Sequence, residues 1–569
     1  MGHVLHLDSL ILACISPFPD CGSATVCPAR QSIDPLVTIA VGFPGKHHPS
    51  TVLGMILACS IYALMAWLNL PSVVWLLAIA GLLGAVRQAA YTRSNLLKAV
   101  QTFQLPHLLL LFALFAAWLP MYFLPFYFGN MTWSEHGGIH YFFGQPDFVL
   151  HASLASELTH AIPPQVPFVA GKQLNYHIGM DLIAAVLSRY GGISTVDLVT
   201  RFCPTLFITL DVLAVFCLTR RITGSGLTAV AAAILTVLGE DMSYITGLLQ
   251  HSNEIWAEYF FQAPTIHSIY MFNPMSVAVG ILFASFLCLY RSMEDRNRGW
   301  VIAFAICAAA LIQIKVFAFV HLIIAMAVVE VINLVAFRRM LFLRQGIVLF
   351  LVSLPLLLYT LFANKSGGSQ FVWTWSSGLQ QYVEPAFEKA DWASLAHYPA
   401  IGVSVYLALT FGFRLAGIGE LIKLFRFPKE RPFHLLLAVF IVLGPVISLS
   451  SKIVPQGAPF GDNNAIWFMV QSKFAATLLA ALALAGIWRR LKQSGRAAMI
   501  VLVAAISFPS TIDYVVKKQH AQNELEKPIV DGISFLNREA RPGDVVVSHI
   551  DSAIVTLTQL RVPFIPLFP

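Results

Sequence analysis

An all-α polytopic membrane protein is the fold class the sequence predicts, and three observations predict it. The 569-residue chain is 57% hydrophobic and only 11% charged, against roughly 25% charged residues in a soluble domain. Its mean hydropathy is +0.73. About thirteen apolar runs approach the ~20 residues that cross a hydrocarbon core as a helix. None alternates with the period of two that a membrane barrel needs, and unpaired backbone is costly in lipid, so these runs are read as helices.

The elements follow in order. Residues 1–50 mix Pro, Gly, Cys and His without periodicity and read as a poorly ordered extension. The short apolar run 5–15 is interrupted by Asp8 and lacks a basic lead, so it does not read as a signal peptide. Of the eight dispersed cysteines, Cys14, Cys21 and Cys27 match neither a zinc spacing nor a paired framework. Candidate spans then run 51–68, 72–86, 107–128, 198–218, 226–238, 274–290, 300–317, 320–336, 346–363, 401–418, 433–449, 467–488 and 497–514. They form one transmembrane domain, 51–514. The tail, 515–569, changes character. A helical stretch at 528–539, a turn at Arg541-Pro542-Gly543-Asp544, a buried strand at Val545-Val546-Val547 and a helix at 553–560 predict an incomplete α/β unit.

Lys and Arg set the orientation. The formal charge of +7 is spread over short loops, at Arg87–Lys98, Arg220-Arg221, 291–298, 338–344, 423–431 and 489–496. Basic loops stay cytoplasmic, and the scatter excludes a nucleic-acid patch. The alternation closes if the apolar piece 176–187 lies along the outer face as an interfacial helix rather than crossing. The N-terminus is then cytoplasmic and the C-terminus extracytoplasmic. Three large segments, 129–197, 240–273 and 364–400, face outward, and function is expected there.

The first outer loop concentrates the chemistry. Asp147 opens 147–160, where Leu150, Leu154 and Leu158 recur every four residues. An Asp at that place either caps a helix or acts as a general base on a hydroxyl at the mouth of the bundle; His151 lies one turn on. Tyr176-His177 leads the interfacial helix, with Asp181 four residues after His177 on the same face. A His–Asp pair tunes a proton-transfer group or holds a phosphate-bearing ligand, and the plainer alternative is an interfacial histidine beside a headgroup-level tyrosine. Glu240, Asp241, His251, Glu254, Glu258 and His267 in the second outer loop show no metal-site spacing and read as a solvated loop, Glu254 being the one taken as a substrate contact. Lys315 and Lys473 stand inside apolar runs near the outer boundary. Both are placed for a lipid phosphate, or else to snorkel.

The order of these elements resembles the bacterial GT-C superfamily of integral-membrane glycosyltransferases, including protein mannosyltransferases and aminoarabinose transferases. It is carried by Gln145-Pro146-Asp147-Phe148, the Pro163-Pro164 segment, Leu174-Asn175-Tyr176-His177, Gly191-Gly192 and the stretch from Asp197 to Arg201, within 105–514. The resemblance implies an inner-membrane enzyme that transfers a sugar, with inversion, from a polyprenyl-phosphate donor to a glycan, lipid or protein acceptor on the outer side. It implies that Asp147 matches the catalytic acid of the first loop, and that Lys473 matches a cation near the donor phosphate. Many relatives carry two adjacent acids where this chain has Asp147-Phe148, so a divalent cation is only a possible cofactor. A multi-span transporter, a polysaccharide polymerase or ligase and a non-catalytic assembly protein share the topology. Against them, no internal repeat is visible, and 364–400 holds no Arg and one His, His397.

Overall fold

The computed structural model describes residues 55–56, 58–63, 105–141, 146–174, 176–242, 244–249, 265–270, 272–363, 369–373, 383–384, 399–426, 432–455, 464–518, 524–541, 544–548, 551–558 and 560–562. The expected extension 1–50, the second span, His251, Glu254, Glu258 and most of 364–400 lie outside the described residues, as does much of the first span.

Among the described residues the architecture is helical. The chain runs through α1 (Leu105–Phe123), α2 (Pro146–Leu158), α3 (Gly179–Gly191), α4 (Cys203–Thr223), α5 (Gly226–Val237), α6 (Pro274–Glu294), α7 (Arg298–Ile314) and α8 (Val316–Phe337). It continues with α9 (Leu343–Ala363), α10 (Pro399–Phe411), α11 (Pro432–Ser450), α12 (Ile466–Arg490), α13 (Gln493–Ser507), α14 (Pro509–Lys518), α15 (Lys527–Glu539) and α16 (Asp551–Leu557). Seven helices are long and apolar enough to cross a membrane, or eight if α13 and α14, bent by 48°, count as one span. Three shorter apolar helices, Leu108–Phe123, Gly226–Val237 and Arg298–Ile314, occupy places where spans were expected. These helices fit an integral membrane protein.

Local sequence explains the helix ends. Ser225, Asn273 and Asn297 cap α5, α6 and α7, their side chains accepting from Thr228 N, Met275 N and Gly299 N. Gly224, at φ +68°, ends α4 in the left-handed region, with its N–H on Arg220 O. The core forms where α4 packs on α5 and α6, α6 on α7, α7 on α9, and α11 on α12. At the last pair Gly444 meets Ser472 and the Phe468 carbonyl so closely that a Cβ would displace them. Beside this pair His321 is satisfied at both ring nitrogens, contacting Gln471 Oε1 at 2.9 Å and the Phe440 carbonyl at 2.8 Å.

The first outer loop holds two short helices. At 13 residues and about 1.5 Å per residue, α3 is far too short to span ~30 Å. It packs against α2 and the end of α7. The tail docks on this loop through several contacts. Ile139–His140 pairs antiparallel with Glu524–Leu525, and Ala170 N and the Pro167 carbonyl bond the Val562 backbone. Arg561 Nη2 donates to Glu157 Oε1 at 2.7 Å.

The tail corrects one expectation. Val545-Val546-Val547 is not a buried strand: Val545 and Val547 are 52% and 85% exposed, and Val545 makes an isolated parallel bridge with Arg561. Its β-branched residues have the propensity for a strand, but no described sheet lies against them.

Candidate functional site

Five residues singled out in the first loop meet a cation from the helical bundle. Asp147 and His151 share one face of α2, a turn apart. Asp147 is the second residue of α2, in its first turn, where a carboxylate suits the helix dipole. Its carboxylate accepts no hydrogen bond from a described residue. His151, 1% exposed, places Nδ1 2.8 Å from Asp181 Oδ1, and Asp181 on α3 is fully buried. The two short helices are thereby tied through polar side chains.

Tyr176 and His177 lead into α3 with their rings stacked, centroids 3.9 Å apart. Tyr176 stays 38% exposed and lies 6.2 Å, ring to ring, from His151. Two buried atoms, Asp181 Oδ2 and His177 Nε2, have no hydrogen-bond partner among the described residues. Unsatisfied buried polar groups are costly and rare. Here two occur in the same small cluster.

Lys315 is the residue between α7 and α8, where φ −152° and ψ 88° interrupt the helix. Its side chain is 6% exposed, and Nζ sits 3.7 Å from the ring centroid of Trp467 at the start of α12. The Lys315 charge acts on both His151 and His177. Gly179 is what allows the approach, because a Cβ there would fall 2.7 Å from the Gln313 carbonyl oxygen.

The electrostatics divide the two histidines. Burial opposes charge on His151, but Asp181 in contact and Asp147 nearby more than offset it and hold the imidazolium above its ordinary range. Burial, joined by the Lys315 and His151 charges, pushes His177 well below its ordinary range. Burial raises Asp181, and His151 limits the rise. One histidine is thus poised as a cation and the other as a neutral hydrogen-bonding group.

Lys473 lies elsewhere. It is fully buried in α12, with Nζ 3.2 Å from both Glu240 Oε1 and Asp241 Oδ2. Glu240 also accepts from Thr265 Oγ1 at 2.7 Å and Ile266 N at 2.6 Å. Arg414 donates to the Gly239 carbonyl at 2.8 Å and Thr477 Oγ1 at 3.1 Å. The expectation of a solvated loop at Glu240-Asp241 is corrected, since both acids are wholly buried. Glu254 and the His267 side chain lie outside the described residues.

Sequence reasoning missed Trp467, Arg414 and the Arg561–Glu157 pair. Trp467 at an outer helix end reads as an interfacial aromatic; nothing in the sequence pairs it with a lysine 152 positions earlier. A cavity of about 530 Å³ lies between the first loop and the tail, with Ser156, Ser188, Asp197, Ser534, Asn537 and Thr558 among its lining. Among the described residues no three His, Cys, Asp or Glu side chains converge as a metal group. His151 and Asp181 engage each other, and His251, Glu254 and Glu258 lie outside the described residues.

No family model matches the chain, and no curated protein matches it at a significant level. Among solved structures the chain is similar to the archaeal oligosaccharyltransferase AglB from Archaeoglobus fulgidus, determined in complex with an inhibitory peptide and a dolichol-phosphate. The two are 13% identical with a TM-score of 0.46, over 81% of this chain and 64% of that one. The chain therefore spans less than two thirds of that relative. A likeness of this degree carries no argument about activity.

Proposed function

We propose that the protein is a membrane glycosyltransferase that uses a polyprenyl-phosphate sugar, with Asp147 as the general base. The observation that carries this reading is the meeting of Asp147, His151, Tyr176, His177 and Asp181 with Lys315 at a helix break. In the proposed reaction the acceptor hydroxyl attacks the anomeric carbon and gives its proton to Asp147. The bond from that carbon to the phosphate oxygen breaks, and the electron pair leaves with the lipid phosphate. Attack opposite the departing phosphate inverts the anomeric centre.

Each side chain then has a part. The Lys315 ammonium, held over Trp467, stabilises charge growing on the leaving phosphate. His177 Nε2 and Asp181 Oδ2, which lack partners among the described residues, hydrogen-bond sugar hydroxyls. His151 holds Asp181 in place, and the exposed Tyr176 ring covers a sugar face. The polar cavity between loop and tail receives the acceptor. Ser156 on its wall is nine residues beyond Asp147 along α2, about 13 Å at 1.5 Å per residue. Lys473, neutralised by two acids, positions the second outer loop and is not assigned a contact with the donor.

The test is sugar transfer by the full chain in lipid, over a panel of polyprenyl-phosphate sugars. Asp147→Asn should lower the rate by about 10²- to 10⁴-fold, the usual contribution of a positioned base. Transfer that survives the change removes Asp147 from the role. No transfer with any donor by folded wild-type protein overturns the enzyme reading.

A further inference from the structure

The end of the bundle opposite Lys315 gathers arginines, two of them in ion pairs. Arg221 pairs with Glu294 at 2.5 Å, and Arg291 pairs with Asp295 at 2.7 Å, its guanidinium 5.0 Å from the Trp300 ring centroid. Gln345 Nε2 donates to Ser292 Oγ at 3.2 Å, which sets the start of α9 beside the end of α6. Two further arginines stand on one groove. Arg298 begins α7, Arg344 is the second residue of α9, and no acid among the described residues pairs with either.

These two line a groove of about 440 Å³ whose remaining lining is Val301, Ile302 and Val348. On α9 the positions 344, 347, 348 and 351 follow helical spacing along one face, as do 298, 301 and 302 on α7. Ile302, Ile347 and Leu351 are all exposed. The apolar stripe therefore begins under the guanidinium groups and runs away from them along the bundle. α9 is the least enclosed of the long apolar helices, so described protein does not cover this face. Both helices also point their N-termini, the positive dipole end, at the head of the groove.

We propose that this groove binds an anionic phospholipid, its phosphate between Arg298 and Arg344 and an acyl chain along Val301, Ile302 and Val348. Charge complementarity selects the headgroup: two unpaired guanidinium groups at one level favour a phosphate and give a neutral lipid nothing to match. The open apolar walls select a lipid over a free anion, which would leave the stripe bare. The site is independent of the transfer chemistry at the other end.

The test titrates the full chain in detergent with phosphatidylglycerol or phosphatidylcholine of identical acyl chains and counts bound lipid by native mass spectrometry. Phosphatidylglycerol should bind at least about tenfold more tightly, and Arg298→Gln/Arg344→Gln should lose about tenfold or more. Arg489→Gln/Arg490→Gln, a change of equal charge at the end of α12, should bind as wild type does. Val348→Trp, which fills the groove and keeps both charges, should also lose the lipid. It decides the matter if the double variant fails to fold. Equal binding of the two lipids, equal loss in the Arg489/Arg490 control, or displacement by millimolar inorganic phosphate would each overturn the proposal.

Discussion

Replacing Lys473 by Met leaves Glu240 and Asp241 facing each other in a fully buried site with Arg414 as the remaining cation. The wild-type group is balanced, two acids against two bases, and Lys473 Nζ touches both carboxylates at 3.2 Å. Removing one partner of a buried ion pair costs about 3–5 kcal/mol, because the surviving charge has no solvent to receive it. Spread over the unfolding entropy of 569 residues, about 2 cal/mol/K each, that corresponds to about 3–4 °C in the midpoint. Lys423→Ala, which breaks an exposed pair to Glu420, should cost at most about 1 kcal/mol and move the midpoint by less than ~1 °C. The assay is the thermal midpoint of detergent-purified protein, followed by loss of the monodisperse peak. Adding Asp241→Asn to Lys473→Met should recover part of the loss, since one acid, Glu240, then faces one base, Arg414. A Lys473→Met midpoint equal to that of Lys423→Ala would refute the reasoning, as would a double variant less stable than the single one.

Three further outcomes are expected. His151 is raised above 6.5 in the folded chain, so its contribution is complete below that pH and is lost as pH rises through the folded value. The midpoint of wild type should therefore fall between pH 6 and 9, and that of Asp181→Asn should fall less; parallel curves would remove the pair as the cause. Gly179→Leu pushes α3 away from the Gln313 carbonyl at a cost of about 1–3 kcal/mol. It should depress transfer while the helical content, read by circular dichroism, is kept. Arg561→Ala breaks the bond to Glu157 and should raise hydrogen exchange in α15 and α16, with the α4 and α6 amides unchanged. Equal protection in the tail would show that the strand pairing and the Val562 backbone bonds hold it without the ion pair.

Legibility in the sequence followed the physics of each feature. Spans were readable because lipid admits few backbone solutions, and from 107 onward each expected span falls on a described apolar helix. The loop residues were readable as a group because acids and histidines are conspicuous between apolar runs. The His151–Asp181 contact was not readable, since the spacing suggested His177 as the partner of Asp181; which histidine turns inward depends on how α2 packs on α3. Glu240-Asp241 looked solvated because the cations that neutralise the pair, Arg414 and Lys473, lie more than 170 positions away in the chain. Val545-Val546-Val547 has strand propensity, which acts only where a sheet offers a partner.

The two intramembrane lysines separate on this same ground. Each is almost wholly buried near the same boundary, and composition alone treats them alike. Lys315 faces the ring of Trp467, a partner that steadies an ammonium through its quadrupole without forming an ion pair with it. Lys473 faces two carboxylates, which cancel that charge and hold the ammonium in fixed geometry. An anionic ligand is attracted by net positive potential, not by the presence of a lysine. What separates the two is contact: no described carboxylate lies in ion-pair contact with Lys315 Nζ, on which Asp147 acts only through space, whereas the Lys473 ammonium already touches two carboxylates. Lys315→Met should therefore abolish transfer with little change in midpoint. Lys473→Met should lower the midpoint, with activity falling only as folded protein is lost.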